Sequence, residues 1–220
     1  MTVVAIDGPA ASGKGTLARR IAAALGYAHL DTGKLYRAVG VAVLRKGGDP
    51  DDPVAATRAA LALDPATLDD PELAGDAAAQ AASKVSAIPA VRQALLQFQR
   101  DFAARPPGGV QGAVLDGRDI GTVVCPDADA KLFVVASMEV RAARRHKELL
   151  NRGETIIYAR VLEDLQERDA RDSARKVAPM KPAPDAVILD TSALDADAAF
   201  DAAMRAIGKR TGQTERPRGQ

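Results

Sequence analysis

The sequence has one cysteine, no tryptophan and only 3% aromatic residues among its 220 positions. A single cysteine, Cys125, excludes an internal disulfide and any zinc cage built from several cysteines. Its side chain, just before Pro126, is interpreted as a small apolar filler. Because a chain without disulfides suits a reducing compartment, we expect a cytoplasmic location.

Net charge and long apolar runs are also lacking. The chain carries 30 basic and 29 acidic residues, a formal charge of +1, which argues against non-specific binding to nucleic acid or to a membrane surface. No stretch approaches the roughly 18 apolar residues of a membrane span, and the amino terminus MTVVAIDG does not have the pattern of a signal peptide. With 47% hydrophobic residues, the sequence predicts a globular protein, by default a monomer.

Short apolar runs alternate with longer helical patterns along most of the chain. Such runs, too short for helices, indicate parallel strands buried on both faces, because parallel strands need crossover connections. We therefore predict an α/β fold in which a five-stranded parallel sheet has helices on both faces. The predicted strands occupy residues 3–7, 28–31, 113–116, 131–136 and 186–190.

Two regions depart from this alternation. Residues 38–105 contain only helical patterns, broken by segments rich in Asp, Gly and Pro, and are predicted to form a helical insert. Residues 144–176 are highly charged and interrupted at Gly153, which suggests a second insert that acts as a lid. Both inserts belong to a single predicted domain, 1–220, whose polar end, 209–220, is interpreted as a disordered tail.

The strongest local motif, GPAASGKGT, directly follows the first predicted strand and opens a helical pattern. Its spacing fits G-x-x-x-x-G-K, a loop whose backbone N–H groups and lysine surround phosphate oxygens. The alternative is a glycine turn with an exposed lysine, which the strand–loop–helix context disfavours. The predicted ATP-binding residues of this loop are Gly8, Pro9, Ala10, Ala11, Ser12, Gly13, Lys14, Gly15 and Thr16.

The GKGT ending resembles that of the nucleoside monophosphate kinases, and it moves the hydroxyl from position 15 to Thr16. A kinase whose acceptor is itself a phosphate needs several cations between two polyanions, because each pair of unit charges at 4 Å repels by roughly 4 kcal/mol. The candidate cations are Arg37, Arg92, Arg118, Arg168 and Arg175.

Each candidate also has a purely structural interpretation. The run QERDARDSARK, 166–176, resembles a solvated helix face with ordinary ion pairs. Thr32 fits the N-cap of a helix beginning at Gly33, which would leave Arg37 on its surface. DGRDIG, 116–121, fits a plain turn. His29 and His146 are interpreted as packing and surface residues.

Taken together and in order, five segments resemble the bacterial cytidylate kinases across nearly the whole chain. They are IDGPAASGKGT, LDTGKLYRAV, ASKVSAIPAVRQALLQFQR, LDGRDIGTVVCPDADAKLFVVAS and ERDARDSARKVAPMKPAPDAVILDTS. The phosphate loop alone indicates only an NTP-binding fold, whereas DGRDIGT and ERDxRDxxR are far more specific to this family. The resemblance implies transfer of the γ-phosphoryl group of ATP to CMP or dCMP, with Mg²⁺ as cofactor.

The resemblance also implies roles for individual residues. Lys14, Arg37 and Arg118 would be catalytic, and the two arginines would bind the acceptor phosphate. Thr32, Arg92, Asp119 and Arg175 would recognise cytosine, while Ser83, Arg168 and Asp172 would surround the ribose. Arg144 is a candidate lid contact to ATP. Apart from the resemblance, Thr16, which carries the shifted hydroxyl, and Asp116, at a strand end, are candidate contacts to Mg²⁺ through water.

The sequence departs from the family pattern at two places. The segment between Leu63 and Ala82 is short, rich in Asp, Pro and Ala, and cannot form the strands usual there, and Lys34 replaces a small residue. Two other interpretations therefore stay open at this stage. One is a kinase for another acceptor, such as UMP, AMP or a small alcohol, and the other is a regulator that binds ATP without transferring phosphate.

Overall fold

The computed structural model describes residues 1–212, which form two compact units. Residues 1–30, 101–137 and those from 181 onward are called the sheet unit, and residues 31–100 and 138–180 the helical unit. The predicted inserts overlap the helical unit in part, and their assignment to one domain stays a prediction. No helix within 1–212 combines the length and apolar character that crossing a membrane requires.

The sheet has five strands, as predicted. They are β1 (Thr2–Asp7), β2 (Ala28–Asp31), β3 (Gly112–Gly117), β4 (Ala130–Val135) and β5 (Val187–Asp190), in the order β2-β3-β1-β4-β5. β1 pairs in parallel with both β3 and β4, and β4 pairs in parallel with β5. Consecutive residues are buried along β3 and the end of β1, as expected for strands covered on both faces.

Eight helices accompany these strands in the described residues. They are α1 (Lys14–Leu25), α2 (Thr32–Leu44), α3 (Pro53–Leu61), α4 (Asp76–Val85), α5 (Pro89–Ala104), α6 (Met138–Asn151), α7 (Tyr158–Ser173) and α8 (Ala196–Thr211). Helices α1 and α8 pack on the sheet with a core that includes Ile6, Leu17, Ile21, Val114 and Ile207. Each such side chain contributes about 1.5–3 kcal/mol on full burial.

The local sequence explains where several helices begin and end. Helix α1 ends at Leu25, and Gly26 after it closes the last turn in the left-handed conformation with a φ of 66°. Asp52 caps α3 by accepting from the Val54 N–H, and Pro53 occupies the first turn. Asp195 accepts from the backbone N–H groups of Asp197 and Ala198 at the start of α8.

Two sequence-based interpretations need correction here. Helix α2 begins at Thr32 itself, because Asp31 is the extended residue before it, so Thr32 is not an N-cap for a helix beginning at Gly33. Helix α8 continues through Thr211, so residues 209–211 of the predicted tail are helical. Gly212 follows with a φ of 68°, and residues 213–220 of the predicted tail lie outside the described residues.

The shortened segment of the helical unit contains no strand, as its composition predicts. Residues Pro65–Asp69 and Pro71–Ala74 form single 3₁₀ turns, and α4 follows at Asp76. Leu73 and Ala78 pack with Ala38 and Val41 of α2 in a small core. The backbones of α2 and α4 approach so closely that a Cβ on Gly40 would stand 2.7 Å from the Cβ of Ala81.

Candidate functional site

The phosphate-loop motif leaves the carboxyl end of β1 and leads into α1. Gly8 has a φ of 147°, and a Cβ there would stand 2.0 Å from the carbonyl oxygen of Val134 on neighbouring β4, so only glycine fits. Gly13, with a φ of 89°, precedes Lys14, the first helical residue. The first N–H groups of α1 have no partner within the helix, and with the helix dipole they favour an anion at this point.

Thr191, just beyond β5, holds this loop in place. Its hydroxyl lies 3.0 Å from the carbonyl oxygen of Ser12, and its own N–H donates to the carbonyl of Val135 over 2.8 Å. Thr191 is buried, so these contacts are shielded from water. The sequence analysis does not assign Thr191 to the loop, because the contact depends on the fold.

Asp7 connects the phosphate loop with the turn that carries Arg118 and Asp119. Its two carboxylate oxygens accept hydrogen bonds from the backbone N–H groups of Ile120 and Gly121, with an N–O distance of 2.8 Å in each. In the sheet register Asp7 lies opposite Gly117. The phosphate loop and the turn with Arg118 and Asp119 therefore begin at the ends of adjacent strands. Burial raises the pKa of Asp7 to about 7, against the lowering effect of the Gly121 and Ile120 hydrogen bonds.

This raised pKa predicts a measurable pH dependence of stability. Because the folded-state pKa of Asp7 lies above its ordinary 3.8, the folded protein holds the proton more tightly across that interval, and stability falls as pH rises towards about 7. Between pH 5 and pH 8 this group should remove about 2–3 kcal/mol of unfolding free energy. Asp7→Asn should abolish that contribution, as measured by urea unfolding at both pH values. If the free energy of unfolding changed equally with pH in the unchanged protein and in Asp7→Asn, the raised pKa of Asp7 would be contradicted.

The turn after β3 is irregular and mostly buried. Arg118 donates to the carbonyl of Gly117 over 3.2 Å, and Asp119 is only 5% exposed. Residues Ile120–Val124 then form one π-helical turn, a local geometry often found at functional sites. The plain-turn interpretation of this segment does not account for two buried or half-buried charges beside the phosphate loop.

Asp116, the acidic residue of β3, lies near two other parts of the site. Its Oδ1 lies 2.8 Å from His29 Nε2, and its Oδ2 lies 3.6 Å from where a Cβ on Gly15 would stand. His29 therefore has a specific partner, which corrects its interpretation as simple packing. Thr16, one residue after Gly15, is exposed.

These oxygens suit Mg²⁺, which prefers hard oxygen ligands and keeps several waters when it is bound with a nucleotide. Within residues 1–212, no three His, Cys, Asp or Glu side chains are grouped to hold a metal ion by themselves. The Asp116 carboxylate and Thr16 hydroxyl therefore fit contacts made through the water shell of a nucleotide-bound ion. They do not form a closed protein cage.

In the helical unit, α4 and α7 bring together several predicted acceptor residues. Arg175 forms a close ion pair with Asp172 and donates to the Ser86 hydroxyl over 2.6 Å. Arg168 Nε lies 4.0 Å from the same Asp172 carboxylate, and Asp172 is 1% exposed. The charged run of α7 is thus partly buried, and its interpretation as a solvated face is wrong for these residues.

Arg171, which the sequence analysis did not single out, donates to the Ser83 hydroxyl over 2.5 Å. It belongs to the same ERDARDSAR motif as Arg168 and Asp172, so the motif itself was the available signal. Arg92 donates to the Ser86 carbonyl over 3.3 Å, and its guanidinium lies 5.5 Å from the centre of the Tyr36 ring. Ser86 therefore receives hydrogen bonds from two predicted cytosine-site arginines.

The remaining predicted residues lie on α2 and α6. Arg37 donates to the carbonyl of Leu73 over 2.7 Å, and Thr32 is buried at the start of α2. Arg144 is half-buried on α6. All three residues belong to the helical unit, and their binding roles stay predictions.

Lys34 and the shortened segment, the two departures from the family pattern, are in contact. Lys34 Nζ lies 3.3 Å from Asp69 Oδ1, an exposed residue of the shortened segment. Arg45, at the end of α2, pairs with Asp70 over 2.6 Å and also with Glu72. Surface pairs of this kind contribute little to stability because water and salt screen them, so they orient the segment more than they stabilise it.

The sequence was compared with known proteins and families. The model of the cytidylate kinase family matches residues 4–209. The chain is 61% identical to a protein of Rhodospirillum rubrum named cytidylate kinase, over 96% of this chain and 100% of that protein. A cytidylate kinase of Paramagnetospirillum magneticum is 63% identical over 95% of this chain and 99% of that protein. One of Caulobacter vibrioides is 57% identical, covering 93% and 94%.

Solved structures support the fold alone. A crystal structure of an uncharacterized protein from Eubacterium ventriosum is 13% identical, with a TM-score of 0.56 over 96% of this chain and 100% of that chain. A sugar kinase from Janibacter sp. is 14% identical, with a TM-score of 0.51 over 96% and 97%. The family model over residues 4–209 and the relatives of about 60% identity show that the chain belongs to the cytidylate kinase family.

Proposed function

We propose that the protein transfers the γ-phosphoryl group of ATP to CMP or dCMP, giving ADP and CDP or dCDP. As a member of the cytidylate kinase family, it is a phosphotransferase that acts on nucleotides. The structural observation that carries the proposal is the link through Asp7. This residue joins the phosphate loop to the Arg118–Asp119 turn at adjacent strand ends.

On this proposal the protein acts by positioning and charge neutralisation, without a covalent enzyme intermediate. Lys14 and the loop N–H groups bind the terminal phosphates of ATP, with Arg144 as a further contact. Arg37 and Arg118 are assigned to neutralising the acceptor phosphate. When bound, Mg²⁺ would neutralise charge on the phosphate oxygens, and Thr16 and Asp116 would hold its waters.

The acceptor is distinguished by the edge of its base. Cytosine presents an amino donor where uracil presents an acceptor, so the Asp119 carboxylate favours cytosine. Arg92 and Arg175 can donate to the ring nitrogen and carbonyl oxygen of cytosine, and Thr32 is assigned to the same base. Ser83, Arg168 and Asp172 are assigned to the ribose.

We also propose that the protein is a monomer in the cytoplasm and that Mg²⁺ is its cofactor.

The proposal is tested by measuring ADP formation from Mg·ATP with CMP, dCMP, UMP, AMP and GMP offered separately at equal concentration. Fast turnover with CMP and dCMP, slow turnover with UMP and none with purines is the expected result. A preference for UMP or AMP would indicate a kinase for another acceptor. ATP binding without turnover on any acceptor would indicate a regulator.

Asp119→Asn gives a sharper test of the base assignment. An amide can donate to the uracil carbonyl, whereas a carboxylate cannot, so the ratio of kcat/KM for CMP over UMP should fall. A fall of about 5- to 150-fold corresponds to the 1–3 kcal/mol of one good base contact. Steady-state kinetics with both acceptors measures it, and KM for ATP should stay within about twofold. An unchanged ratio would remove Asp119 from base recognition.

A further inference from the structure

The contact between His29 and Asp116 joins two neighbouring strands of the sheet unit. His29 lies on β2 and Asp116 on β3, and these strands are adjacent in the sheet order. The distance from His29 Nε2 to Asp116 Oδ1 is 2.8 Å. A carboxylate can only accept hydrogen bonds, so Nε2 is the nitrogen that carries hydrogen and donates.

This hydrogen bond fixes the direction of the second carboxylate oxygen. The side chain of Asp116 is 3% exposed and that of His29 is 18% exposed, so the contact is largely shielded from water. With Oδ1 held by His29, Oδ2 faces the first turn of α1, 3.6 Å from where a Cβ on Gly15 would stand. Common phosphate loops carry a serine or threonine at that place, whose hydroxyl binds the nucleotide's metal ion.

We propose that His29 is a positioning residue, which holds Asp116 so that Oδ2 faces the metal side of the phosphate loop. The inference rests on the proposed function, because it assumes that Mg·ATP binds at this loop. His29 acts only through the carboxylate and contacts neither nucleotide nor metal. Groups that orient a metal-site carboxylate typically alter metal affinity by about 10- to 100-fold when removed, and a contact through water should be weaker.

The test compares His29→Leu, which cannot donate, with His29→Gln, whose amide nitrogen can replace Nε2. ATP affinity is measured by calorimetry with Mg²⁺ and with EDTA, without any acceptor. We expect His29→Leu to weaken ATP binding about 3- to 10-fold in Mg²⁺ and to leave it within about twofold in EDTA. His29→Gln should recover most of the loss, and His146→Leu, on α6, serves as the matched histidine control.

A double-mutant cycle with Asp116→Asn separates positioning from a general structural effect. If His29 acts through Asp116, His29→Leu should cause less than a twofold further change in the Asp116→Asn background. Equal losses with Mg²⁺ and EDTA, full additivity in the cycle, or no loss in His29→Leu would overturn the proposal. Because no acceptor is used, these outcomes are independent of whether CMP is the substrate.

Discussion

Lys14→Met is expected to lower kcat for CMP phosphorylation by about 10²- to 10³-fold, the usual cost of removing one preorganised charge donor from a transition state. Lys14 begins α1 directly after Gly13, at the point where the loop turns into the helix. Its ammonium group is assigned to the terminal phosphates of ATP, on which negative charge must be neutralised during transfer. Methionine keeps the length of the side chain and its helix propensity, so the change is chiefly one of charge.

The matched control is Lys46→Met, at an exposed lysine beyond the end of α2. It removes the same charge from a surface and should leave kcat within about twofold, since isolated surface charges have small effects. Melting temperatures of both variants should remain near that of the unchanged protein. A Lys14→Met protein that is folded and retains more than a tenth of the original kcat would contradict the assignment.

Asp172→Ala is expected to lower the free energy of unfolding by about 3–5 kcal/mol, because it removes one partner of a buried ion pair. Asp172 is 1% exposed on α7, and it pairs closely with the guanidinium of Arg175 while Arg168 lies 4.0 Å away. Without the carboxylate, two cations would face each other inside the helical unit. Urea unfolding at neutral pH measures the loss.

The control for this change is Glu163→Ala on the same helix. Glu163 is 60% exposed and pairs with Arg160 over 3.0 Å, so its removal should cost less than about 1 kcal/mol. Asp172→Ala should also weaken CMP binding where the protein remains folded, since Asp172 is assigned to the ribose. Similar small stability losses in the two variants would show that the buried pair does not stabilise the unit.

The strands were predictable because both faces of the central strands are buried. Each strand then reads as a near-continuous apolar run, and all five predicted ranges differ from the structure by one residue or less at either end. The predicted range 113–116, for example, lies inside β3, which has one more residue at each end. The phosphate loop was predictable for a different reason. Its glycines are required by local geometry, such as the close approach of Gly8 to the backbone of Val134. Such requirements fix the spacing of the glycines in the sequence.

Contacts between distant positions could not be predicted in the same way. Asp7 and Ile120 are 113 positions apart, and their hydrogen bond depends on β1 and β3 being neighbours with one particular register. The same holds for Thr191 and Ser12, which are 179 positions apart. Nothing in the sequence near either residue encodes strand order. The interpretation of His29 as a packing residue is incomplete for that reason, because its partner Asp116 lies on the neighbouring strand of the sheet.

The boundary errors have local causes. Threonine is a common N-cap, yet Asp31 supplies the extended residue before α2, and Thr32 is already helical. A polar composition suggested a tail from 209 onward, but Lys209 and Arg210 belong to the last turn of α8. Basic side chains are favourable there because they oppose the negative end of the helix dipole. Composition alone does not separate such a helix end from a tail.

The most direct test of the central claim follows the phosphoryl group itself. ATP labelled with ³²P at the γ position is incubated with CMP and Mg²⁺, and the products are separated. The account predicts labelled CDP, with the label in its terminal phosphate and none on the protein at any time. Label that appears only in inorganic phosphate, or that remains in ATP while CMP is bound, would contradict it.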